Sequence, residues 1–347
     1  MQFINRKDRL LLIGLSEDSR STVTKLSKTV GYSRATTIKA LDRLKKSLGI
    51  RFTLEVDESE LKTFERHIIA VKLSKKPAAR VLKEIFEKDR YAQNVYLTEG
   101  DFDLLIYATA GKAVEYIVWE THLAETLVEY GASIRPSEYV TTHFGYMPLN
   151  DSFVDAISGA QKIDDKDREI LRLLNNDSRL GYREISKQSG ILEDTVRYRL
   201  FALRKSGIIK RFTIAVQNPP EGSVSMAYFV NYIFNKETSA KKFPAVKAHF
   251  FSSDKDEPIL NAFQLIAPIS GSYRSFGITV FQNKEEAFEK TIAKQKSIFK
   301  DEKVEIKYAI IKKVLKGLLP FRNLDIRDNY KTIEWHTTTT KSTNTEL

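Results

Sequence analysis

Cationic side chains recur at helical spacing in two separate stretches of this chain. One stretch reads RATTIKALDRLKKS (34–47), and the other reads TVRYRLFALRKS (195–206). In each, apolar residues three and four positions apart predict a buried helix stripe, which directs the other side chains to the opposite face. Guanidinium and ammonium groups on such a face bind phosphate oxygens through charge-assisted hydrogen bonds. Both stretches are therefore candidate surfaces for binding a polyanion.

The net charge of +11 is concentrated around these stretches. Residues 1–51 contain twelve Lys and Arg against four Asp and Glu, and residues 163–211 contain twelve against eight. Neutralising phosphates releases condensed counterions, so nucleic-acid binders collect cations where the phosphates will lie. The charge distribution favours double-stranded DNA as a partner. A merely solvated basic surface on two helical bundles is the alternative interpretation.

The composition excludes several other chemistries. The chain has no cysteine, which excludes disulfides, thiolate catalysis and cysteine-ligated zinc. Its five histidines are scattered without a pair at metal-ligand spacing: His67, His122, His143, His249 and His336. We therefore predict no metal and no cofactor. No apolar run reaches membrane-spanning length and no signal-peptide core is seen, so we expect a soluble, cytoplasmic protein.

The two basic segments are copies of each other. Residues 8–47 align with residues 167–206 without a gap, and about fifteen of the forty positions are identical. The phrase D-S-R occurs in both, at 18–20 and at 177–179. Agreement along this length predicts a duplicated structural unit.

Each copy predicts three helices. The first, at 8–15 or 167–174, ends at the polar turn that contains D-S-R, and a short second helix follows at 23–29 or 182–188. Gly31 or Gly190 then supplies a positive-φ turn before the third helix. The second helix, the glycine turn and the third helix form a helix-turn-helix. The third helix of the unit is then the one that reads the major groove.

The outward residues of the third helices form the predicted DNA-contact set. We expect base-edge contacts from Arg34, Thr36, Lys39, Arg197 and Tyr198, and phosphate contacts from Arg43, Lys45, Arg199 and Arg211; Ser33 and Thr195 complete the set. Because Ile38 and Ala40 stand where the second copy has Arg197 and Arg199, the two helices cannot read the same base pattern.

A larger segment with a repeated order of elements follows each helical unit. After the strands RFTLEV (51–56) and RFTIAV (211–216), the order strand, helix, strand, strand, helix, strand occurs twice. The first set is 67–73, 77–87, 92–97, 103–110, 113–129 and 137–144. The second set is 227–234, 239–250, 261–267, 275–281, 284–299 and 304–314.

These patterns predict an α+β fold with two copies of a winged three-helix domain, each followed by a ferredoxin-like βαββαβ domain. The predicted boundaries are helix-turn-helix domains at 1–51 and 163–211, βαββαβ domains at 52–148 and 212–320, a linker at 149–162 and a disordered tail at 331–347.

The chain resembles the Lrp/AsnC family of feast-or-famine transcription regulators over nearly its whole length. The resemblance rests on IDDKDREILRLLNNDSR (163–179), on the recognition helix TVRYRLFAL (195–203) and on the G-I-I turn at 207–209. It also rests on the S-x-x-T pattern of Ser33 and Thr36. It implies a DNA-binding regulator with a RAM effector domain, which pairs with a second RAM domain and in some members binds amino acids.

The resemblance also implies an effector site at the turn G-D-F-D. This turn spans Gly100, Asp101 and Asp103, which we take as candidate contacts for an amino-acid-like effector. A plain hairpin turn between adjacent strands is the alternative. The second copy has Ser272 and Arg274 in place of the two carboxylates, which makes an equivalent site there doubtful.

Two other classes of protein share this architecture. Siroheme decarboxylases have the same two-domain plan, but their His- and Arg-rich strand region has no counterpart in NVYLTEGDFDLLIYAT (94–109). A non-specific architectural DNA-binding protein would also concentrate its basic charge. The preferred interpretation is a non-enzymatic regulator, pseudo-dimeric within one chain, with homo-oligomers of such chains expected on family grounds.

Overall fold

The structure is a computed structural model, which describes residues 5–56, 65–140, 163–217, 222–233, 264–281, 292–293, 296, 303–317 and 319–320. The chain begins with α1 (Arg6–Glu17), α2 (Val23–Val30) and α3 (Arg34–Leu48). Gly31 ends α2 with a φ of 67°, which confirms the glycine turn. Leu11, Leu15, Leu26 and Leu44 are buried between the three helices. Strand β1 (Arg51–Val56) follows α3.

The next segment has the order βαββαβ. It consists of β2 (Glu65–Leu73), α4 (Ala79–Glu87), β3 (Ala92–Gly100), β4 (Leu104–Ala110), α5 (Ala113–Thr126), a short 3-10 turn (Val128–Tyr130) and β5 (Ala132–Val140). The strands form an antiparallel sheet in the order β3-β4-β2-β5. Strand β5 begins five residues earlier than predicted, and the predicted end at 141–144 lies outside the described residues.

A second three-helix unit follows, with α6 (Asp165–Asn176), α7 (Tyr182–Ser189) and α8 (Glu193–Lys205). Asp164 and Asp167 form a capping box at the start of α6, and Gly190 ends α7 with a φ of 71°. Ile170, Leu174, Val196, Leu200 and Leu203 are among its buried residues. The predicted bounds of the first and second helices of both units are confirmed to within two residues at each end, and a third helix follows the glycine turn in each unit as predicted.

The remaining strands are β6 (Ile209–Val216), β7 (Val224–Ile233), β8 (Gln264–Ser270), β9 (Ser275–Phe281), β10 (Lys303–Lys316) and the short β11 (Leu319–Pro320). Strands β7 to β10 pair in the order β8-β9-β7-β10, which is the order of the first sheet. The predicted helices at 239–250 and 284–299, the linker at 149–162 and the tail at 331–347 lie outside the residues described, isolated positions in 284–299 excepted.

The two four-stranded sheets join edge to edge into one closed sheet of eight strands. One seam pairs β5 with β8, through Tyr139 with Ser270 and Val140 with Ile269. The other seam pairs β3 with the longer β10. Closure leaves none of these strands with an unpaired edge, so backbone pairing holds the two halves of the chain together.

The interior of the closed sheet is filled by aromatic side chains from both halves. The ring of Phe229 on β7 lies 5.6 Å from that of Phe102, 5.6 Å from that of Tyr273 and 5.0 Å from that of Phe276. Residues of alternate parity on β2, such as Ile69, face α4 and α5 instead. Both faces of the first sheet are therefore apolar, and each covers a different core.

We expect Phe229→Ala to lower the free energy of unfolding by about 3–5 kcal/mol, because it opens a cavity between the two halves. Val128→Ala, at an exposed position beyond α5, serves as the control. The measurement is urea unfolding. A double-mutant cycle with Phe102→Ala should show non-additivity, since the two rings are in contact. Additive losses would contradict a shared interior core.

Candidate nucleic-acid interface

The third helix of the first unit presents a polar and basic face to solvent. Ser33 caps α3, because its Oγ accepts a 3.1 Å hydrogen bond from the Thr36 N–H and lies 2.8 Å from Thr36 Oγ1. Arg34, Thr36 and Lys39 are exposed, while Thr37, Ala40, Leu44 and Leu48 are buried. Lys45 places its ammonium 5.7 Å from the centre of the Phe52 ring. Leu41, which the helical spacing places beside the buried stripe, is half-buried.

Arg43 and Arg199 each form an ion pair with a carboxylate of their own helical unit. Arg43 Nη2 bonds to the buried carboxylate of Asp8 on α1, whose pKa is raised by burial although Arg43 opposes the shift. Arg199 Nη1 lies 2.6 Å from Asp164 Oδ1 and 3.0 Å from Asp167 Oδ1. In both units, an arginine thus ties the third helix to the start of the first.

The arginines of these two ion pairs come from different positions of the duplicated helix. Arg43 aligns with Ala202, and Arg199 aligns with Ala40, so the tie has moved by one helical turn between the copies. The exchange of arginine and alanine between the two helices therefore changes how each helix packs on its unit, in addition to any change in base contacts. The structure gives Arg43 and Arg199 partners other than the phosphates predicted from the sequence.

The third helix of the second unit is less basic on its outer face. Arg197 Nη2 lies 3.4 Å from Glu193 Oε1, and its guanidinium carbon lies 5.3 Å from the centre of the Tyr182 ring. Tyr198 is exposed and Thr195 half-buried. Arg211 lies outside this helix on β6, where its Nε is 2.7 Å from Oε2 of the buried Glu55 on β1. Arg211 therefore also has a protein partner.

The two helical units meet through the repeated D-S-R turns. Ser19 Oγ lies 2.7 Å from Ser178 Oγ, and both serines are buried. Arg20 donates to the carbonyl oxygens of Ser178 and Leu180, and Arg179 Nε donates to the Ser19 carbonyl oxygen at 2.6 Å. Equivalent residues of the two copies thus contact each other or exchange equivalent bonds.

Strands β1 and β6 complete this contact. They pair antiparallel with Thr53 opposite Thr213. The guanidinium carbon of Arg20 lies 4.1 Å from the centre of the Phe212 ring, and that of Arg179 lies 4.0 Å from the Phe52 ring. The Ser19 N–H donates to the Phe212 carbonyl oxygen, and the Ser178 N–H to that of Phe52.

Each of these strands also packs against the helices of the other unit. Leu54 and Val56 of β1 belong to the core of the second unit, and Ile214 and Val216 of β6 belong to that of the first. We name the D-S-R turns together with β1 and β6 the interlock. Sequence reasoning took D-S-R only as a helix end and loop, although its retention in both copies, together with R-F-T, was the available signal.

The turn proposed as an effector site is attached to β10. Gly100 has a φ of 149°, and a Cβ there would lie 2.6 Å from the Tyr308 carbonyl oxygen. Asp101 donates its N–H to that oxygen and accepts the Tyr308 N–H at 2.8 Å through Oδ2. Gly100 is therefore required by the close approach of the two strands, and Asp101 is a bridge between the halves.

Asp103 is buried at the other end of the same turn. Its Oδ2 accepts the Leu73 N–H at 2.9 Å, and its carboxylate lies 3.3 Å from Lys72 Nζ and 2.9 Å from Lys76 Nζ. Burial works to raise the pKa of Asp103, but the Leu73 N–H and the two lysines outweigh it and hold the pKa below its ordinary value. Both carboxylates of the turn thus have protein partners.

The seam between β5 and β8 is held by a carboxylate from the strand and not from the turn. Glu138 on β5 is buried, and its Oε1 accepts the Ser272 N–H of the equivalent turn at 2.9 Å. Its Oε2 has no hydrogen-bond partner among the described residues and lies where a Cβ on Gly271 would be. Burial raises the pKa of Glu138, although the N–H groups of Tyr273 and Ser272 oppose the shift. Sequence reasoning missed this residue, since nothing local marks it as buried.

The histidines and the helices show neither a metal site nor a membrane span in the described part of the chain. The described part of the chain contains no group of three or more potential metal-ligating side chains. Within the same ranges, no helix has both the length and the apolar character needed to cross a bilayer. His67 stacks on Tyr116 with ring centres 3.5 Å apart, and its Nε2 lies 3.0 Å from Glu65 Oε2. His143, His249 and His336 lie outside the described residues.

Comparison with known proteins identifies the type of domain that the second helical unit forms. Residues 163–210 match the family described as winged helix-turn-helix DNA-binding. The transcriptional regulator FL11 of Pyrococcus horikoshii is 41% identical over 68 residues, which cover 20% of this chain and 44% of FL11. The match therefore spans less than half the length of that relative. The protein carries a winged helix-turn-helix DNA-binding domain.

A longer match identifies the family. The transcriptional regulator LrpA of Pyrococcus horikoshii is 34% identical over 97 residues, which cover 26% of this chain and 68% of LrpA. The chain belongs to the Lrp/AsnC family of transcription regulators. The crystal structure of the siroheme decarboxylase NirDL aligns with a TM-score of 0.54 at 12% identity, covering 90% of this chain and 93% of that one. At this identity the likeness concerns the fold alone.

We expect Arg20→Ala to lower the free energy of unfolding by about 2 kcal/mol, because it removes the donor from two carbonyl oxygens in the interlock. Arg179→Ala should cost less, about 1 kcal/mol, since its Nε donates to a single carbonyl oxygen, that of Ser19. Arg183→Ala, at an exposed position of α7, is the matched control. Urea unfolding measures all three. A loss within about 0.5 kcal/mol of the control would show that the interlock does not stabilise the fold.

We expect Glu138→Gln to gain stability relative to the wild type as the pH rises. A carboxyl group whose pKa is raised by folding contributes stability at low pH and loses it as the pH rises through the folded-state pKa. The amide cannot ionise, so it escapes this loss. Thermal unfolding from pH 5 to pH 8 measures the difference, with Glu125→Gln as the exposed control. A pH-independent difference would contradict a buried, ionisable Glu138.

Proposed function

We propose that this protein is a sequence-specific DNA-binding transcription regulator that presents two different recognition helices from one rigid support. The observation that carries the proposal is the exposed face of α3. Arg34, Thr36 and Lys39 project into solvent from a helix whose opposite face is buried in a helix-turn-helix unit. Residues at the start of such a helix reach base edges in the major groove.

The proposed contact set is smaller than the set predicted from the sequence. In the first unit it contains Arg34, Thr36, Lys39 and Lys45, with Ser33 serving as the cap that orients the helix. In the second unit it contains Thr195, Arg197 and Tyr198. Arg43, Arg199 and Arg211 are proposed to act through their ion pairs with Asp8, Asp164 and Glu55, which hold the helices and strands in place.

We further propose that the chain is a covalent pseudo-dimer that arose by duplication. The proposal is supported by the pairing of equivalent residues, Ser19 with Ser178 and Thr53 with Thr213, and by the common strand order of the two sheets. A homodimer of single-copy chains would place identical helices on a palindrome. Because α3 and α8 differ in sequence, the preferred site of this chain is asymmetric.

Association of chains and an effector are separate proposals. The face of α5 that carries Val114, Ile117 and Val118 is exposed and apolar, which supports contact between copies of the chain. An amino-acid-like effector at Gly100, Asp101 and Asp103 would have to displace the bonds to Tyr308 and Leu73. Because DNA is the proposed partner, we propose a cytoplasmic location.

Two alternative functions make different predictions. A siroheme decarboxylase would bind siroheme and change its visible spectrum, and the fold shared with NirDL is what keeps this alternative open. We expect no such change, because the relatives found by sequence are named as transcriptional regulators. An architectural protein would protect DNA broadly in a footprint, whereas a regulator protects discrete sites.

The test is selection of bound sequences from a random DNA pool, followed by gel-shift titration at fixed salt. We expect one asymmetric consensus. Each lost base contact should weaken binding roughly tenfold. The double variant Arg34→Ala with Lys39→Ala should weaken binding more than the double variant Arg197→Ala with Tyr198→Ala. The reason is that Glu193 and Asp194 on α8 repel phosphate.

Salt must be fixed because each phosphate contact adds about 0.9 to the slope of log affinity against log salt. Lys187→Ala, on the exposed side of α7, serves as the control for loss of one positive charge. Enrichment of no sequence would overturn the proposed function. A palindromic consensus, or equal losses in the two double variants, would overturn the proposed division of labour between the units.

A further inference from the structure

The outer face of α8 carries two large, exposed aromatic side chains. Tyr198 is 73% exposed and Phe201 is 65% exposed. In the aligned helix α3, the equivalent positions are occupied by Lys39 and Asp42, both polar and exposed. The duplicated helices therefore differ in the character of the surface that would enter the groove, and α8 is the apolar one.

The position of these rings relative to the core fixes their direction. Val196, Leu200 and Leu203 face the core of the second unit. At 100° per residue, Tyr198 lies nearly opposite this stripe, and Phe201 lies one turn further along and 60° to the side. Tyr198 thus lies on the outward face that a helix-turn-helix turns toward base edges, and Phe201 extends this surface by one turn toward the C-terminal end of α8.

The charges beside the rings favour a nucleic-acid occupant over an apolar protein surface. Lys205 is exposed in the last turn of α8, one turn beyond Phe201, and the guanidinium carbon of the neighbouring Arg204 lies 5.5 Å from the centre of the Phe212 ring. Cations at this edge suit phosphates that border a groove. At the other end, Glu193 engages Arg197, so this arginine is less available for pairing with guanine. Apolar contact is therefore the main means by which the outer face of α8 would read bases.

Only one apolar group projects from base edges into the major groove, the C5-methyl group of thymine. We propose that Tyr198 and Phe201 form a thymine-methyl reading surface, so that the half-site bound by α8 is specified by thymines. This inference rests on the proposed function and extends it from DNA binding to the chemical basis of the choice of sequence. Phe201 becomes a specificity-determining residue that no motif had indicated.

The test uses the asymmetric site selected by the intact chain, with each thymine replaced in turn by deoxyuridine. This replacement removes a single methyl group and leaves base pairing unchanged. Burying one such group is expected to change affinity about fourfold. We expect thymines in one half-site to lose about this factor when replaced, as measured by gel-shift titration of the full chain.

The variants assign the effect to the two rings. In Tyr198→Ala with Phe201→Ala, thymine and deoxyuridine sites should bind equally, whereas Phe201→Leu should retain part of the discrimination. Lys39→Ala, at the position of α3 equivalent to Tyr198, should weaken binding and leave the discrimination intact. Because both aromatic residues are exposed, circular dichroism should show an unchanged fold.

The outcomes separate this inference from the proposed function. If the chain selects a site but the wild type does not distinguish thymine from deoxyuridine, the thymine-methyl surface is excluded and the regulator remains. Discrimination that persists in the double alanine variant excludes Tyr198 and Phe201 as its source. If light scattering shows that the double variant loses self-association instead, the face is a contact between copies of the chain. Selection of no site overturns both proposals.

Discussion

The reciprocal contact between the two D-S-R turns is the constraint on which the DNA-binding half of the molecule depends. Arg20 lies over Phe212 and Arg179 lies over Phe52, so the guanidinium group of each helical unit packs on the strand that follows the other unit. Arg20 is half-buried and Arg179 is exposed, and partial burial lowers the pKa of each arginine. Their donors are directed at backbone carbonyl oxygens, which fixes their orientation more closely than an ion pair in solvent would. The two recognition helices are therefore held by one shared interface.

The closed sheet repeats this principle with different residues. Its two seams lie at equivalent places, yet one is fastened by Asp101 on the Tyr308 backbone and the other by Glu138 on the Ser272 backbone. A carboxylate accepting backbone N–H groups serves at each seam, but it comes from the turn in one case and from the neighbouring strand in the other. The replacement of the turn acids by Ser272 and Arg274 is thus accompanied by a carboxylate from across the seam. A homodimer could not vary its seams independently, because both would be encoded by the same residues.

The third helices of the two units, α3 and α8, differ in the same manner. The ion pair that ties α3 to α1 uses Arg43, and the one that ties α8 to α6 uses Arg199. Moving the arginine by one turn keeps the helix in place and changes which side chains remain on the outer face. Once packing is secured, that face can vary, and it carries Lys39 in one copy and Tyr198 in the other. The asymmetric binding site that we propose rests on this difference between the two outer faces.

The sequence by itself determined the local structure and the repetition. Apolar residues at helical spacing placed the six helices of the two units, and the positive φ of Gly31 and Gly190 was required by the turn. Alternating strands and the common order of elements predicted the βαββαβ arrangement, which the first sheet confirms. Exposure of Arg34 and Lys39 also followed from the helical period. Each of these features depends on residues a few positions apart, which is why a single sequence reveals them.

Only the tertiary structure decided which of the outward-facing cations form ion pairs within the protein. It also decided what the repeated D-S-R sequence contacts. Arg43, Arg199 and Arg211 find Asp8, Asp164 and Glu55 at distances along the chain that no helical period links. Ser19 meets Ser178 only because β1 and β6 pair, and Glu138 is buried only because β5 meets β8. A side chain's ion pairs and burial depend on what the fold brings beside it. Sequence spacing fixes the direction in which a side chain leaves its helix or strand, and long-range packing decides what it meets there.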